Sequence, residues 1–187
     1  MANFRSEEET LYTGTEHFVD LDEARSRVLK VTIPPGFGLV PCVTASTAIN
    51  LRSMPEVSAV RKQLELIPAT PLEYLNRWIL ANEVFQDDVR IESVVLWADG
   101  LVSISISQPQ YHGIPATPRE IESCFKEDGW VVCSTETSGT VFYNYAHNTL
   151  AVDALPRNCY MNSGHILPFD VILHRPTPEL EGFLKLY

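Results

Sequence analysis

Three side chains near the C-terminal end have the types and spacing for metal-assisted chemistry. Asp153 and Asn158 bound the segment Asp153-Ala-Leu-Pro-Arg-Asn158, and Asp170 stands twelve residues beyond Asn158, after the apolar run Ile166-Leu-Pro-Phe169. Both aspartates lie in apolar, strand-like surroundings, where even a neutral polar group costs about 2–7 kcal/mol to bury without a partner. Phosphoryl transfer uses one carboxylate near the incoming hydroxyl, plus an amide oxygen and a second carboxylate on Mg2+. Hard oxygen ligands suit Mg2+, and substrate phosphates fill the rest of its octahedron. The stretch between Asn158 and Asp170 reads as a β-hairpin whose base would bring the two together.

Such a site needs a lysine from an N-terminal sheet and a glutamate from the helix that follows. Lys30 stands among Val28, Leu29 and Val31. A lysine so flanked either snorkels outward, guards a sheet edge or is held by a partner. Glu83 falls four residues beyond Ile79 and so extends the stripe of Leu72, Leu75 and Ile79. It occupies a last helical turn, where the dipole disfavours an anion; a cation such as Lys30 would account for it. A hairpin should also cover the phosphates. Gly14 precedes Val19 by five residues, as the second glycine precedes the valine in G-x-G-x-x-G-x-V, with Tyr12 and His17 replacing the other two glycines.

The elements that must position these groups are readable around them. Residues 11–22 and 26–33 read as a β-hairpin turning near Asp22–Ser26. Residues 34–69 carry five prolines and read as a long connection or insertion, with a short helix near 55–66. Thr70-Pro71-Leu-Glu73 opens the strongest helix with a capping box, and Thr117-Pro118-Arg-Glu120 opens a second that Gly129 stops. Asp99-Gly100 marks a hairpin between them. Short strands follow, over Trp130–Ser134, Thr140–Tyr145, Leu150–Leu155 and His165–Leu173. The fold class expected is α+β.

Composition sets outer bounds. The chain has 187 residues, 45% of them hydrophobic, and a net charge of −10, so a real core is expected and a phosphate-backbone binder is not. Metal chemistry remains open, since a bound cation supplies its own positive charge. Cys42, Cys124, Cys133 and Cys159 lack C-x-x-C spacing and read as reduced thiols. The polar, acidic opening and the absence of a long apolar run lead to an expectation of cytoplasmic location and no membrane partner. His112, His147, His165 and His174 are scattered, Trp78, Trp97 and Trp130 read as core aromatics, and no G-x-S-x-G occurs.

Taken together, these stretches resemble a protein kinase-like domain. They are more similar to the small kinase-like domains of bacterial and phage polyvalent proteins and of short bacterial hypothetical proteins. The likeness runs over roughly residues 12–176, and Asp153-Ala-Leu-Pro-Arg-Asn158 is also similar to the catalytic loop of aminoglycoside-type phosphotransferases. It implies a two-lobed fold. Residues 1–107 would form an N-lobe with an antiparallel sheet and the Glu83 helix, and residues 108–187 a hinge and a minimal C-lobe. It implies ATP and Mg2+ as cofactors, and phosphoryl transfer to an unidentified acceptor. Lys30 would hold the phosphates, Glu83 would orient Lys30, and Asp153 would be the base. Asn158 and Asp170 would bind Mg2+, Gly14 and Val19 would cover the nucleotide, and Gln108 and Gln110 would flank the adenine in a hinge near Gln108–Gly113. The chain departs from the family at Ala151-Val152, where kinases carry His-Arg, and at Val171-Ile172, where they carry Phe-Gly. Those departures fit a pseudokinase or protein-interaction module that keeps the fold without transfer. In a third reading, a structural domain without ligand, the aspartates would simply cap turns.

Overall fold

A computed structural model describes residues 12–47, 60–133 and 140–187. The chain is mixed α+β, and its strands pair antiparallel throughout the described residues. A five-stranded sheet is built from β1 (Tyr12–Thr13), β2 (His17–Asp22), β3 (Arg27–Thr32), β6 (Arg90–Leu96) and β7 (Val102–Pro109). Its order is β1-β2-β3-β7-β6. Lys30 pairs with Val19 on one side and Ile106 on the other, so it lies in the central strand and guards no edge. The Asp99-Gly100 turn joins β6 to β7 as expected; Gly100 has φ +84°, a left-handed conformation that glycine adopts without steric cost.

The segment 34–69 differs from the expectation. It contains a hairpin of β4 (Leu39–Thr47) and β5 (Val60–Pro68). Residues 60–66 are therefore strand where a helix was expected, while 55–59 lie outside the described residues. The reason is non-local. Val43 and Leu64 face each other across the hairpin and pack with Cys133, Val141, Leu150 and Ile172 from the C-terminal part of the chain. Local propensity carries no information about that surface.

The helices are α1 (Pro71–Phe85), α2 (Pro118–Glu127) and α3 (Pro178–Leu184). Thr70 and Thr117 make the two expected capping boxes with Glu73 and Glu120. The unanticipated α3 opens on Thr177-Pro178, a third copy of the same start signal. The expected buried stripe on α1 is corrected: Leu72 is 67% exposed and Ile79 53% exposed. Its buried residues are Tyr74, Arg77, Trp78, Leu80 and Ala81. Beside Leu80 this face carries two aromatic rings and a guanidinium, and of the expected stripe only Leu75 packs, half-buried, against the core.

The C-terminal part holds two smaller sheets. One orders β14 (Ile172–His174), β11 (Thr149–Val152), β10 (Val141–Asn144) and β9 (Val131–Cys133). The other orders β13 (His165–Pro168), β12 (Cys159–Asn162) and β8 (Ile114–Pro115). The main core gathers Trp78, Ile104, Ile106, Phe125, Trp130 and Phe142 from both halves of the chain. Trp97 stands apart from it, at the end of the β6–β7 hairpin, where its indole N–H donates to Ser103 Oγ. The four cysteines are free thiols, with Cys133 and Cys159 buried. No described helix is long and apolar enough to cross a membrane.

The hairpin's packing has a measurable consequence. Leu64→Ala should lower stability by about 2–5 kcal/mol, the cost of emptying a well-packed leucine site. Urea titration would show a lower midpoint at unchanged slope. A change within a few tenths of a kcal/mol would mean that the hairpin does not share the C-terminal core.

Candidate functional site

Asp170 follows β13 and meets two cations. Lys30 Nζ donates to Asp170 Oδ1 at 2.9 Å and to the Phe169 carbonyl at 3.1 Å. Gln108 Nε2 donates to that same carbonyl at 3.1 Å. From α1, Arg77 Nη2 donates to the Asp170 carbonyl at 3.0 Å and to its Oδ1 at 3.1 Å. The other arm of the guanidinium, Nη1, reaches Glu16 Oε2 at 2.8 Å, and Glu16 also accepts from the Leu39 N–H at 3.0 Å. Trp78 lies under both cations, its ring centroid 5.1 Å from Lys30 Nζ and 4.8 Å from Arg77 Cζ.

The network therefore alternates in sign: Glu16, Arg77, Asp170, Lys30. Arg77 has a side chain only 1% exposed, so its charge is sustainable only because two carboxylates face it. Asp170 keeps 30% of its side chain exposed, the most open member of its pair with Lys30. Burial pushes the Asp170 carboxyl up, but Lys30 and Arg77 together outweigh it and hold the group below the usual carboxylate range. His17, bonded to Tyr74 Oη at 3.0 Å, is driven the other way. Burial first, then the neighbouring Lys30, pushes its pKa down to about 3, so it is neutral. Three buried polar atoms around the network have no hydrogen-bond partner: Arg77 Nε, Trp78 Nε1 and Gln108 Oε1.

Asp153 and Asn158 make a different unit. Asp153 has left-handed backbone, φ +57°. Asn158 Nδ2 donates to the Asp153 carbonyl at 2.7 Å and to its Oδ2 at 2.8 Å, and Arg157 Nη2 pairs with Asp153 Oδ1 at 2.6 Å. The spacing of these two residues thus closes a turn. The turn is joined to the Asp170 strand by its backbone, since the Phe169 N–H donates to the Asn158 carbonyl at 3.0 Å. The hairpin base does bring Asn158 beside Phe169, with its amide Nδ2 donating to Asp153.

Other expected residues fall elsewhere. Glu83 does not reach Lys30; it sits on the exposed side of α1 and pairs with Arg175 at 3.1 Å. The inner face of α1 is set by Tyr74, Arg77 and Trp78, which leaves position 83 outside. Gly14 lies in the β1–β2 turn, its N–H donating to the His17 carbonyl at 2.9 Å, and Val19 lies opposite Lys30. The Gln110 N–H donates to the Ser26 carbonyl at 2.9 Å, so the donor expected to face adenine is already engaged. Gln108 joins the site through its side chain, while its backbone pairs with Val28. Glu16, His17 and Arg77 were missed. The one signal for Arg77 is its position three residues after Tyr74 and one before Trp78, which puts it on their face of the helix.

Among the described residues no group of three or more His, Cys, Asp or Glu side chains is arranged to hold a metal ion. Compared with family models, with curated proteins and with solved structures, the chain gives no match.

The buried imidazole has a defined pH signature. Its folded pKa, about 3, lies below the ordinary 6.5, so the unfolded chain binds the extra proton between those values. The contribution is fully present above pH 6.5 and is lost as pH falls toward 3, by at most about 1.4 kcal/mol per pH unit. His17→Gln should flatten the acid limb of the stability curve in this window. An unchanged slope would show that His17 titrates normally.

Proposed function

We propose that the chain is an ATP·Mg2+-binding, kinase-like phosphotransferase whose nucleotide binds at the Lys30–Asp170 pair, between β3 and the Phe169–Asp170 segment. The supporting observation is the Lys30–Asp170 pair at 2.9 Å, made between residues 140 positions apart. In this reading residues 1–107 are the first lobe, and 108–187 are the hinge and a reduced second lobe. The donor set suits Mg2+. Asp170 Oδ2 and Asn158 Oδ1 are hard acceptors without a hydrogen bond among the described residues, and sites of this type take their remaining ligands from phosphates and water. Bound there, Mg2+ would neutralise charge on the phosphates.

The chain's own groups divide the remaining work. Lys30 turns from Asp170 to the α/β-phosphates, while Arg77 keeps both the carbonyl and the carboxylate of Asp170 in place. Thus Arg77 supports the site from α1, where kinases use a glutamate. Asp153 accepts the proton of the acceptor hydroxyl as its oxygen bonds to the γ-phosphorus and the bond to the β-phosphate oxygen breaks. For that, the exposed Arg157 must release Asp153 Oδ1.

A second reading, a pseudokinase or protein-interaction module, is favoured by two observations. Arg77 stands where an acid was expected, and Asp153 is already neutralised by Arg157. Thermal shift and turnover separate the readings. Millimolar ATP with Mg2+ should raise the melting temperature; ligand at 100 times Kd stabilises by about 2.7 kcal/mol. Asp170→Ala should remove the Mg2+ dependence. Asp153→Asn should keep the shift and stop ADP formation. A shift without turnover on any acceptor supports the second reading, and no shift at all rules out the first.

A further inference from the structure

The two edges of the five-stranded sheet are unequal. β1 is two residues long, while β6 runs for seven and has no strand on its outer side among the described residues. A long open edge is a template for further pairing, and natural sheets guard such edges with lysine, proline or brevity. The segment Arg90-Ile-Glu-Ser-Val-Val-Leu96 holds neither lysine nor proline. A bulge between Ile91 and Ser93 disturbs its start, but Ser93–Leu96 pair regularly with Val102–Ser105.

Which backbone groups are open follows from the turn. The Trp97 N–H donates to the Leu101 carbonyl at 2.9 Å, so these residues form a hydrogen-bonded pair. Antiparallel ladders alternate, so Val95–Ser103 and Ser93–Ser105 repeat that pair. Val94 and Leu96 therefore point their N–H and C=O groups away from β7. The same two residues carry the most exposed apolar side chains of the strand, at 68% and 74%. Those side chains continue the core face of the sheet: Val94 lies opposite Ile104, and Ile91 opposite Ile106, both in the main core.

An edge with this pattern matches itself. Turned about a two-fold axis through Val95, a second β6 sets Val94 of one copy against Leu96 of the other, and the reverse. Every open N–H and C=O of the two residues then has a partner, and the apolar row runs unbroken from one sheet into the next. The charges agree. β6 carries one arginine and one glutamate, so it is neutral in a chain of net charge −10. The same axis brings the exposed Arg90 toward the β6–β7 turn of the other copy, which carries Asp99.

We infer that β6 is a homodimer interface: two copies pair edge to edge, antiparallel about Val95, into one continuous sheet. This is independent of the nucleotide reading, because β6 contributes no residue to the Lys30–Asp170 network.

Sedimentation equilibrium of the full chain over a concentration series tests it, with amide hydrogen exchange as the local readout. The mass should double as concentration rises, and exchange at the Val94 and Leu96 N–H groups should slow by about tenfold or more. Val94→Pro removes only an outward N–H, which an edge strand tolerates, and should leave a folded monomer. Leu96→Lys should do the same by charge, and serves if the proline variant does not fold. Ile114→Lys, at an equally exposed isoleucine on β8, should leave the dimer intact. A monomer at every concentration, a dimer retained by both β6 variants, or a dimer lost equally in Ile114→Lys would each overturn the inference. So would a monomer whose Val94 and Leu96 amides are protected only by an added, unrelated strand-forming peptide, which would assign the edge to a foreign strand.

Discussion

The rest of the structure depends on one half-buried carboxylate shared by two buried cations. Asp170 meets Lys30 from the central strand of the five-stranded sheet and Arg77 from α1. Arg77 in turn needs Glu16, which also takes the N–H that starts β4. The β2–β3 hairpin region, α1 and the segment after β13 are thereby bound to one charge-balanced cluster. Such a cluster tolerates no partial assembly: removing one partner of a buried ion pair typically costs about 3–5 kcal/mol, because the other is left uncompensated. Its worth lies less in net stability than in specificity, since only one packing of β2, β3, α1 and the β13–β14 connection satisfies all four charges.

This constraint explains why the inner face of α1 is aromatic and cationic. Trp78 offers a ring face to both cations, and the neutral His17 avoids adding a third positive charge beside them. Leu72 and Ile79 of the same helix face outward. The sheet side of the network is closed by Gln108 and Lys30 on a single carbonyl, that of Phe169. The residue before the key carboxylate is therefore held as tightly as the carboxylate itself.

Much of this arrangement is legible in the sequence, for identifiable reasons. Lys30 and Asp170 stand out because a charge inside an apolar strand demands a partner. The capping boxes of α1 and α2 and the Asp99-Gly100 turn are local signals with local causes. Arg77 is hidden because a fully buried arginine looks like a surface residue to any hydropathy pattern. Glu83 misleads for the converse reason: its place in the last turn suggested a buried cation nearby, but a surface arginine, Arg175, meets it instead. The β4–β5 hairpin is illegible locally, since Val43 and Leu64 take their partners from strands nearly a hundred residues away. The spacing of Asp153 and Asn158 was informative, although its first consequence is a closed turn.

The proposed function uses the same cluster in two states. Lys30 and Arg77 share Asp170; on the proposed reading Lys30 would turn to the phosphates when nucleotide binds and Arg77 alone would retain Asp170. A double-mutant cycle on Lys30→Met and Asp170→Asn, measured with and without ATP·Mg2+, tests this directly. The account predicts a coupling energy of about 1 kcal/mol or more in the free protein, falling when the nucleotide is present. Coupling within about 0.3 kcal/mol of zero in the free protein would contradict it.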